Sequence, residues 1–406
     1  MLAVREALDF LLEAAKPVDG VELIPTLEAN GRVLAQDQLA TIDVPSADNT
    51  QMDGYAVRFA DCASGNATLR VSQRIPAGTV GQPLEPGTAA RIFTGALIPK
   101  GADAVVMQEQ CEVVGDSVTV HHTPREGEWI RRRGEDIGAG SVILAAGTRL
   151  RSQELGLAAS SGIAELPVHR RLRVAVFFTG DELAMPGEVA AGDLKPGSIY
   201  NSNRFTLRGL LENVGCDVTD YGIVPDSLEA TRATLVEAAR EHDLIITSGG
   251  VSVGEEDHIK PAVEAEGRLS MWQIAVKPGK PLAFGEVRRV DGGAHFVGLP
   301  GNPVSSFVTF LLFVRPFVLR LQGVSGQVEP QGYQVRADFD LPKADRRNEF
   351  LRVKMNAAGG LDLFPNQSSG VLTSTVWGDG LVDNPAGQTI AAGDLVRFIP
   401  FAELQH

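Results

Sequence analysis

At 406 residues the chain has room for two to four domains at roughly 150 residues each, which excludes a single small binding module. Gly (44) and Pro (23) lie well below the roughly 25–30% that marks low-complexity chains, and 44% hydrophobic residues is ordinary for a folded globular protein. With 37 basic against 51 acidic residues, the net charge of −14 argues against non-specific binding to nucleic acid or an anionic membrane.

The opening residues, MLAVREALDFLLEAAKP, place Leu and Val on a helical period and Glu6, Asp9 and Glu13 among them. A helix ending before Pro17 is expected, and no signal peptide, because the segment lacks a basic n-region. Short β-like runs then alternate with Gly and Pro turns up to about residue 150. Residues 43–139 are expected to form a β-rich domain inserted into a linking domain of residues 1–42 plus 140–168.

From Arg171 the pattern becomes β, α, β, α. RLRVAVFFTG, DVTDYGIV and DLIITSGG read as strands, and NSNRFTLRGLLENVG as a helix. DSLEATRATLVEAAREH reads as a helix opened by Asp226. Residues 169–325 are therefore expected to be a doubly wound α/β domain that ends in a buried helix from Val304 to about Leu321. Arg315 and Pro316 interrupt its most apolar stretch, Phe307 to Leu321, which is also too short to span a bilayer. Residues 326–406 carry short alternating runs suited to a small β-barrel or sandwich. Cys62, Cys111 and Cys216 are odd in number and widely spaced, which fits a reducing cytoplasm better than a disulfide framework.

In open α/β sheets ligands bind beyond the carboxyl ends of the strands. Those positions are polar here: Thr179-Gly180-Asp181-Glu182, Pro225-Asp226-Ser227, and Thr247-Ser248-Gly249-Gly250 followed by Val251 to Asp257. The glycine-rich segment, followed by a helix start, suits a phosphate, although a plain turn with Asp257 as a helix cap explains it alone. Glu182, Asp226 and Asp257 are together suited to Mg²⁺, or are solvated loop carboxylates. Lys277-Pro278-Gly279-Lys280-Pro281 and Pro300-Gly301-Asn302-Pro303-Val304-Ser305 are rigid turns. With Arg352 and Ser369 they offer ammonium, guanidinium and hydroxyl groups to a small oxyanion. A basic run, Arg131 to Arg133, reads most simply as a solvated face. Neither a zinc ligand set nor a Ser/His/Asp or Cys/His nucleophile is expected.

Eight segments, DNTQMDGYAV, RIFTGALIP, RRRGEDI, FFTGDEL, IITSGGVSVGEED, VKPGKPLAFG, GLPGNPVSSF and EFLRV, resemble the molybdopterin molybdenumtransferase (MoeA) family, which is related to the C-terminal domain of gephyrin. They stand in family order over nearly the whole chain. The resemblance implies a multidomain α/β protein whose doubly wound domain is similar to molybdopterin adenylyltransferases, and a homodimer with a shared cleft. It further implies Mg²⁺-dependent insertion of molybdate into adenylylated molybdopterin with release of AMP, and transient contact with a molybdopterin adenylyltransferase. No nucleic acid or membrane partner is implied.

By the same resemblance Asp53, Thr94, Asp136, Glu182 and Asp226 are the catalytic candidates, with Glu182, Asp226 and Asp257 toward the metal. Ser248, Gly249, Gly250, Ser252, Pro300 and Pro303 fall to the pterin and AMP, and Lys277, Lys280, Ser305, Arg352 and Ser369 to molybdate. The alternatives are adenylyltransferase activity, since the sheet domain alone resembles that family, and a non-catalytic cofactor-binding scaffold.

Overall fold

A computed structural model describes residues 2–251, 258–290 and 292–404. The helix Val4–Ala14 buries Ala7, Leu8 and Leu11 and stops ahead of Pro17, whose ring disfavours helical backbone at the residue before it. Val21–Pro25 then pairs antiparallel with Glu165–His169, and Gln38–Leu39 with Val142–Leu144. Between these pairings the chain builds a separate six-stranded sheet in the order Ala104–Met107, Gly54–Val57, Thr88–Ile92, Ala67–Ile75, Ser117–Val120, Cys111–Val114. The strand Ala67–Ile75 alternates, with Ala67 and Leu69 buried and Thr68 and Arg70 exposed, whereas Gly54–Val57 is buried throughout.

A second six-stranded sheet runs in the order Asp217–Val224, Arg173–Thr179, Leu244–Ser248, Gly292–Leu299, Pro281–Arg289, Gly267–Gln273. The first four strands are parallel, Pro281–Arg289 runs antiparallel to them, and Gly267–Gln273 pairs antiparallel with Pro281–Arg289. Every residue of Leu244–Ser248 is buried, as expected for a strand covered on both faces. On one face Phe177 and Ile245 meet the helices Leu228–Glu241 and Ile259–Glu266. On the other, Val176 and Phe178 meet Ser202–Asn213 and the long helix that begins at Pro303.

One local expectation is corrected. The helix Leu228–Glu241 is capped by Ser227, whose Oγ accepts the Ala230 N–H at 3.2 Å, and not by Asp226. Ser227 has the extended backbone of a cap, so the Asp226 carboxylate is not used in that role. The buried helix expected from Val304 to about Leu321 is present and continues through Arg315 and Pro316. The backbone widens to a π turn over Phe310–Val314, with the Arg315 N–H donating to the Phe310 carbonyl, and helix resumes at Arg315–Leu321. One extra residue per turn accommodates a proline that lacks an N–H. The continuous helix Pro303–Leu321 is long and apolar enough to cross a membrane, but it is 94% buried within the protein and forms its core.

The last sheet has the order Val276–Lys277, Asn348–Met355, Gly380–Asn384, Leu395–Pro400, Tyr333–Arg336, with Leu361–Leu363 also paired to Asn348–Met355. Its first strand comes from the loop before Pro281, so this sheet is tied by backbone to the α/β part. The three cysteines are free, and desolvation pushes the Cys62 and Cys111 thiols up to about 11 and Cys216 to about 12. Replacing Ser227 by Ala is expected to lower the unfolding free energy by about 1 kcal/mol in urea titrations, the usual loss for a helix cap.

Candidate active site

Beyond the carboxyl ends of the parallel strands lies a cleft of about 820 Å³. It is positioned by sheet order. Glu182 and Asp226 follow the two adjacent strands Arg173–Thr179 and Asp217–Val224. Ser248, Gly249 and Gly250 end the next, and Pro300, Gly301 and Pro303 the one after. Lys277 and Lys280 precede Pro281–Arg289, whose antiparallel direction brings its amino end to the same edge. At roughly 4.8 Å between strands, the two acidic strand ends stand about 10–20 Å from the lysine turn. The cleft therefore has an acidic and a basic end, with a glycine-rich floor between them.

The floor has little room. Gly249 has φ +102, and a Cβ there would lie 2.7 Å from the Thr179 carbonyl oxygen; at Gly250, φ +64, it would lie 2.9 Å from Thr179 Oγ1. These glycines flank the point at which the strand order reverses, where crevices form in doubly wound sheets. The Gly249 N–H already donates to the Leu299 carbonyl at 3.2 Å, so it is not a phosphate donor in this conformation. Asn203 fastens the floor: its Nδ2 donates to Ser248 Oγ and to the Gly301 carbonyl, each at 2.8 Å, and Ser248 Oγ donates to the Pro300 carbonyl at 3.0 Å.

At the basic end Lys277 Nζ lies 2.7 Å from Glu349 Oε1 and 3.2 Å from Asp345 Oδ2. Arg347 Nε is 3.1 Å from Asp345 Oδ1, and Arg347 also lines the cleft. The hydrogen bond to Glu349 raises the Lys277 pKa above its ordinary value, while the hydrogen bond from Arg347 leads the lowering of Asp345. Ser305 and Ser369 line the same wall, and the Val304 N–H donates to the Ser369 carbonyl at 3.0 Å. That bond joins the first turn of the core helix to the C-terminal part.

Arg352 departs from its expected place. It is 1% exposed, does not line the cleft, and donates to Ser374 Oγ, the Phe350 carbonyl and the Ser368 carbonyl at 3.2, 3.2 and 3.4 Å. Burial lowers its pKa to about 10. The guanidinium props the 367–369 loop from behind, so its fork does not face the cleft. Asp53, Thr94 and Asp136 lie on the N-terminal β-rich part and do not line the cleft of this protomer. Asp53 Oδ1 accepts the Thr94 N–H at 2.8 Å and its hydroxyl at 2.7 Å; the backbone bond leads the lowering of its pKa. Asp136 is exposed. Arg132 and Arg133 are exposed but pair with Asp48 and Asp43 at 2.8 and 2.5 Å, tying two loops together. Ser252 and Asp257 lie outside the described residues. Among the described residues no three metal-ligating side chains cluster.

Three family regions match in order: the MoeA N-terminal region (domain I and II) over residues 2–162, the probable molybdopterin binding domain over 175–320, and the MoeA C-terminal region (domain IV) over 334–401. The chain belongs to the MoeA family. A molybdopterin molybdenumtransferase of Haemophilus influenzae is 40% identical over 414 residues, covering 100% of both chains. One from Nostoc is 35% identical over 96% of this chain and 91% of its own. The crystal structure of a molybdopterin biosynthesis MoeA protein from Pyrococcus horikoshii superposes with TM-score 0.85 at 30% identity, covering 98% of this chain and 100% of its own. This places the chain among the transferases of molybdenum cofactor biosynthesis, with the family's multidomain α/β fold.

Two cleft residues, Asn203 and Arg347, and the Lys277 partner Glu349 were given no role in the sequence analysis. Asn203 was visible only as part of a polar helix start, Glu349 only as the first residue of the EFLRV segment, and Arg347 lies two residues before it without a spacing that marks it. Their importance comes from partners distant in sequence. Gly249→Ala is expected to cost about 1–3 kcal/mol in stability through backbone strain and the Thr179 contact, checked by chemical denaturation.

The pH dependence follows from the shifts. The contribution of raised Lys277 is complete below the ordinary lysine value and is lost as pH rises through the raised one. That of lowered Asp345 is present above the ordinary aspartate value and is lost as pH falls through the lowered one. Between about pH 6 and 9 neither pair should change the melting temperature, which scanning calorimetry tests.

Proposed function

We propose that this MoeA family member transfers molybdate to the dithiolene sulfurs of molybdopterin, taking the adenylylated form as substrate and releasing AMP. The observation that carries this is the polarity of one cleft, with carboxylates on the first two strand ends and cations on the lysine turn. An adenylylated pterin has a phosphoanhydride that suits the acidic end with a divalent cation. A tetrahedral oxyanion suits compact ammonium groups and hydroxyls at the other.

In this proposal Lys277, Lys280, Ser305 and Ser369 receive molybdate, with Arg347 added and Arg352 acting through the 367–369 loop. Ser248, Gly250, Pro300 and Pro303 shape the floor against the pterin nucleotide. Glu182 and Asp226 face one cleft, and the donor set fits Mg²⁺, which takes one or two carboxylates and fills its shell with phosphate oxygens and water. When bound, Mg²⁺ supplies charge stabilisation to the phosphoanhydride. The chain's own carboxylates hold that charge away from the lysines, so nucleotide and oxyanion occupy opposite ends.

Asp53, Thr94 and Asp136 enter the site in a C2 homodimer, in which the N-terminal sheet of one protomer faces the cleft of its partner. Support comes from exposed Val21, Leu23, Leu27, Leu39 and Val142 on the linking part, an apolar surface suited to burial. The substrate implies an adenylylating enzyme upstream, with which transient contact is part of the proposal. Free thiols fit a cytoplasmic location.

Purified protein mixed with adenylylated molybdopterin, Mg²⁺ and molybdate should yield AMP and active cofactor together. Asp226→Ala should lower AMP release at least about 100-fold with an unchanged circular dichroism spectrum, in the range for removing a group that acts on the transition state. Absence of both products with wild-type protein would refute the transferase. Light scattering should give the dimer mass at micromolar concentration.

A further inference from the structure

The lysine at the basic end is not a bare ammonium. Glu349 Oε1 and Asp345 Oδ2 engage Lys277 Nζ at 2.7 and 3.2 Å, which commits two of its three N–H donors. The pairing is built into the backbone: Val276–Lys277 is a parallel strand on Asn348–Met355, with Lys277 in register with Glu349. Glu349 is 4% exposed, and its Oε2 is buried with no hydrogen-bond partner among the described residues. A half-satisfied buried carboxylate is costly, and Lys277 offsets much of that cost. Asp345 is shared, since Arg347 holds it through Nε and Nη2, each at 3.1 Å. Lys277, Arg347, Asp345 and Glu349 thus sum to zero charge, leaving Lys280 as the cationic side chain that lines the cleft outside this set.

We propose that Glu349, aided by Asp345, is a positioning residue that clamps Lys277 and keeps tetrahedral dianion binding at this end of the cleft weak and readily reversed. The inference rests on the proposed oxyanion role of Lys277. A dianion receives one N–H from Lys277 and feels two carboxylates behind it. That opposes trapping of the oxyanion to be transferred and of other tetrahedral dianions of equal charge. Neutralising either carboxylate leaves the lysine charge less offset and the cleft a tighter anion trap.

The test is calorimetric titration of the dimeric or monomeric protein, as purified, with molybdate and separately with sulfate. Glu349→Gln should tighten both Kd values at least about fivefold, and the gain should shrink when ionic strength is raised. The gain should vanish in a Lys277→Met background, because the clamp acts through that lysine; a purely structural ion pair would alter the melting temperature and leave both affinities unchanged. Where Glu349→Gln does not fold, Asp345→Asn carries the same expectation. Unchanged or weakened anion affinity in the folded variant overturns the proposal. So does tightening that persists without Lys277. AMP release by the wild-type protein reports on the transferase separately: loss of that activity with tightening intact would remove the function and leave the clamp, and the reverse result would remove only the clamp.

Discussion

The structure depends on the burial of one helix on every side. Pro303–Leu321 is 94% buried, and its Val304, Val308, Leu311, Phe313 and Phe317 share one core with Leu8 and Leu11 of the opening helix, Val176 and Phe178 of the sheet, and Phe350 and Ile399 of the last sheet. Non-directional apolar burial of this extent is the dominant favourable term that holds such parts together. Because the same helix begins in the PGNP turn, fixing its body also fixes Pro303 and Ser305 at the cleft. The Val304 N–H bond to Ser369 and the Lys277 strand on Asn348–Met355 then bring the C-terminal sheet to the same place.

Around that core, the sheet order does the work of separating charge. The carboxylates sit on neighbouring strand ends and the lysine turn three and four strands away, so the acidic and basic groups of the cleft stand apart. Glycines at 249 and 250 are needed because Thr179 leaves no space for a side chain, and Asn203 sets the spacing of the two loops that form the floor. Rigid loops on a rigid sheet suit a site that must hold two ligand parts at a defined distance.

The electrostatics of the basic end are subtler than a list of cations suggests. Lys277 is held by two carboxylates, Arg352 faces into protein, and Arg347 is pinned by Asp345. The carboxylates at this end thus offset much of the charge that Lys277 and Arg347 bring.

The sequence by itself determined the central strands Arg173–Thr179 and Leu244–Ser248, whose apolar runs are unbroken, but not the edge strand Gly267–Gln273; it pointed to the cleft as well, because ligands in such sheets gather past the carboxyl ends of parallel strands. It also determined the family, through segments in fixed order. It did not determine the cap at Ser227, since Asp226 and Ser227 are both good caps and only backbone geometry chooses between them. The helix across Pro316 was legible in the sequence as an apolar run, but the π turn at Phe310–Val314, which leaves no mark in composition, was not. Nor could it show that Arg352 turns inward or that Glu349 reaches Lys277. Those outcomes follow from strand register between segments about seventy residues apart and from burial of a side chain, which exist only once the sheets are packed on the central helix.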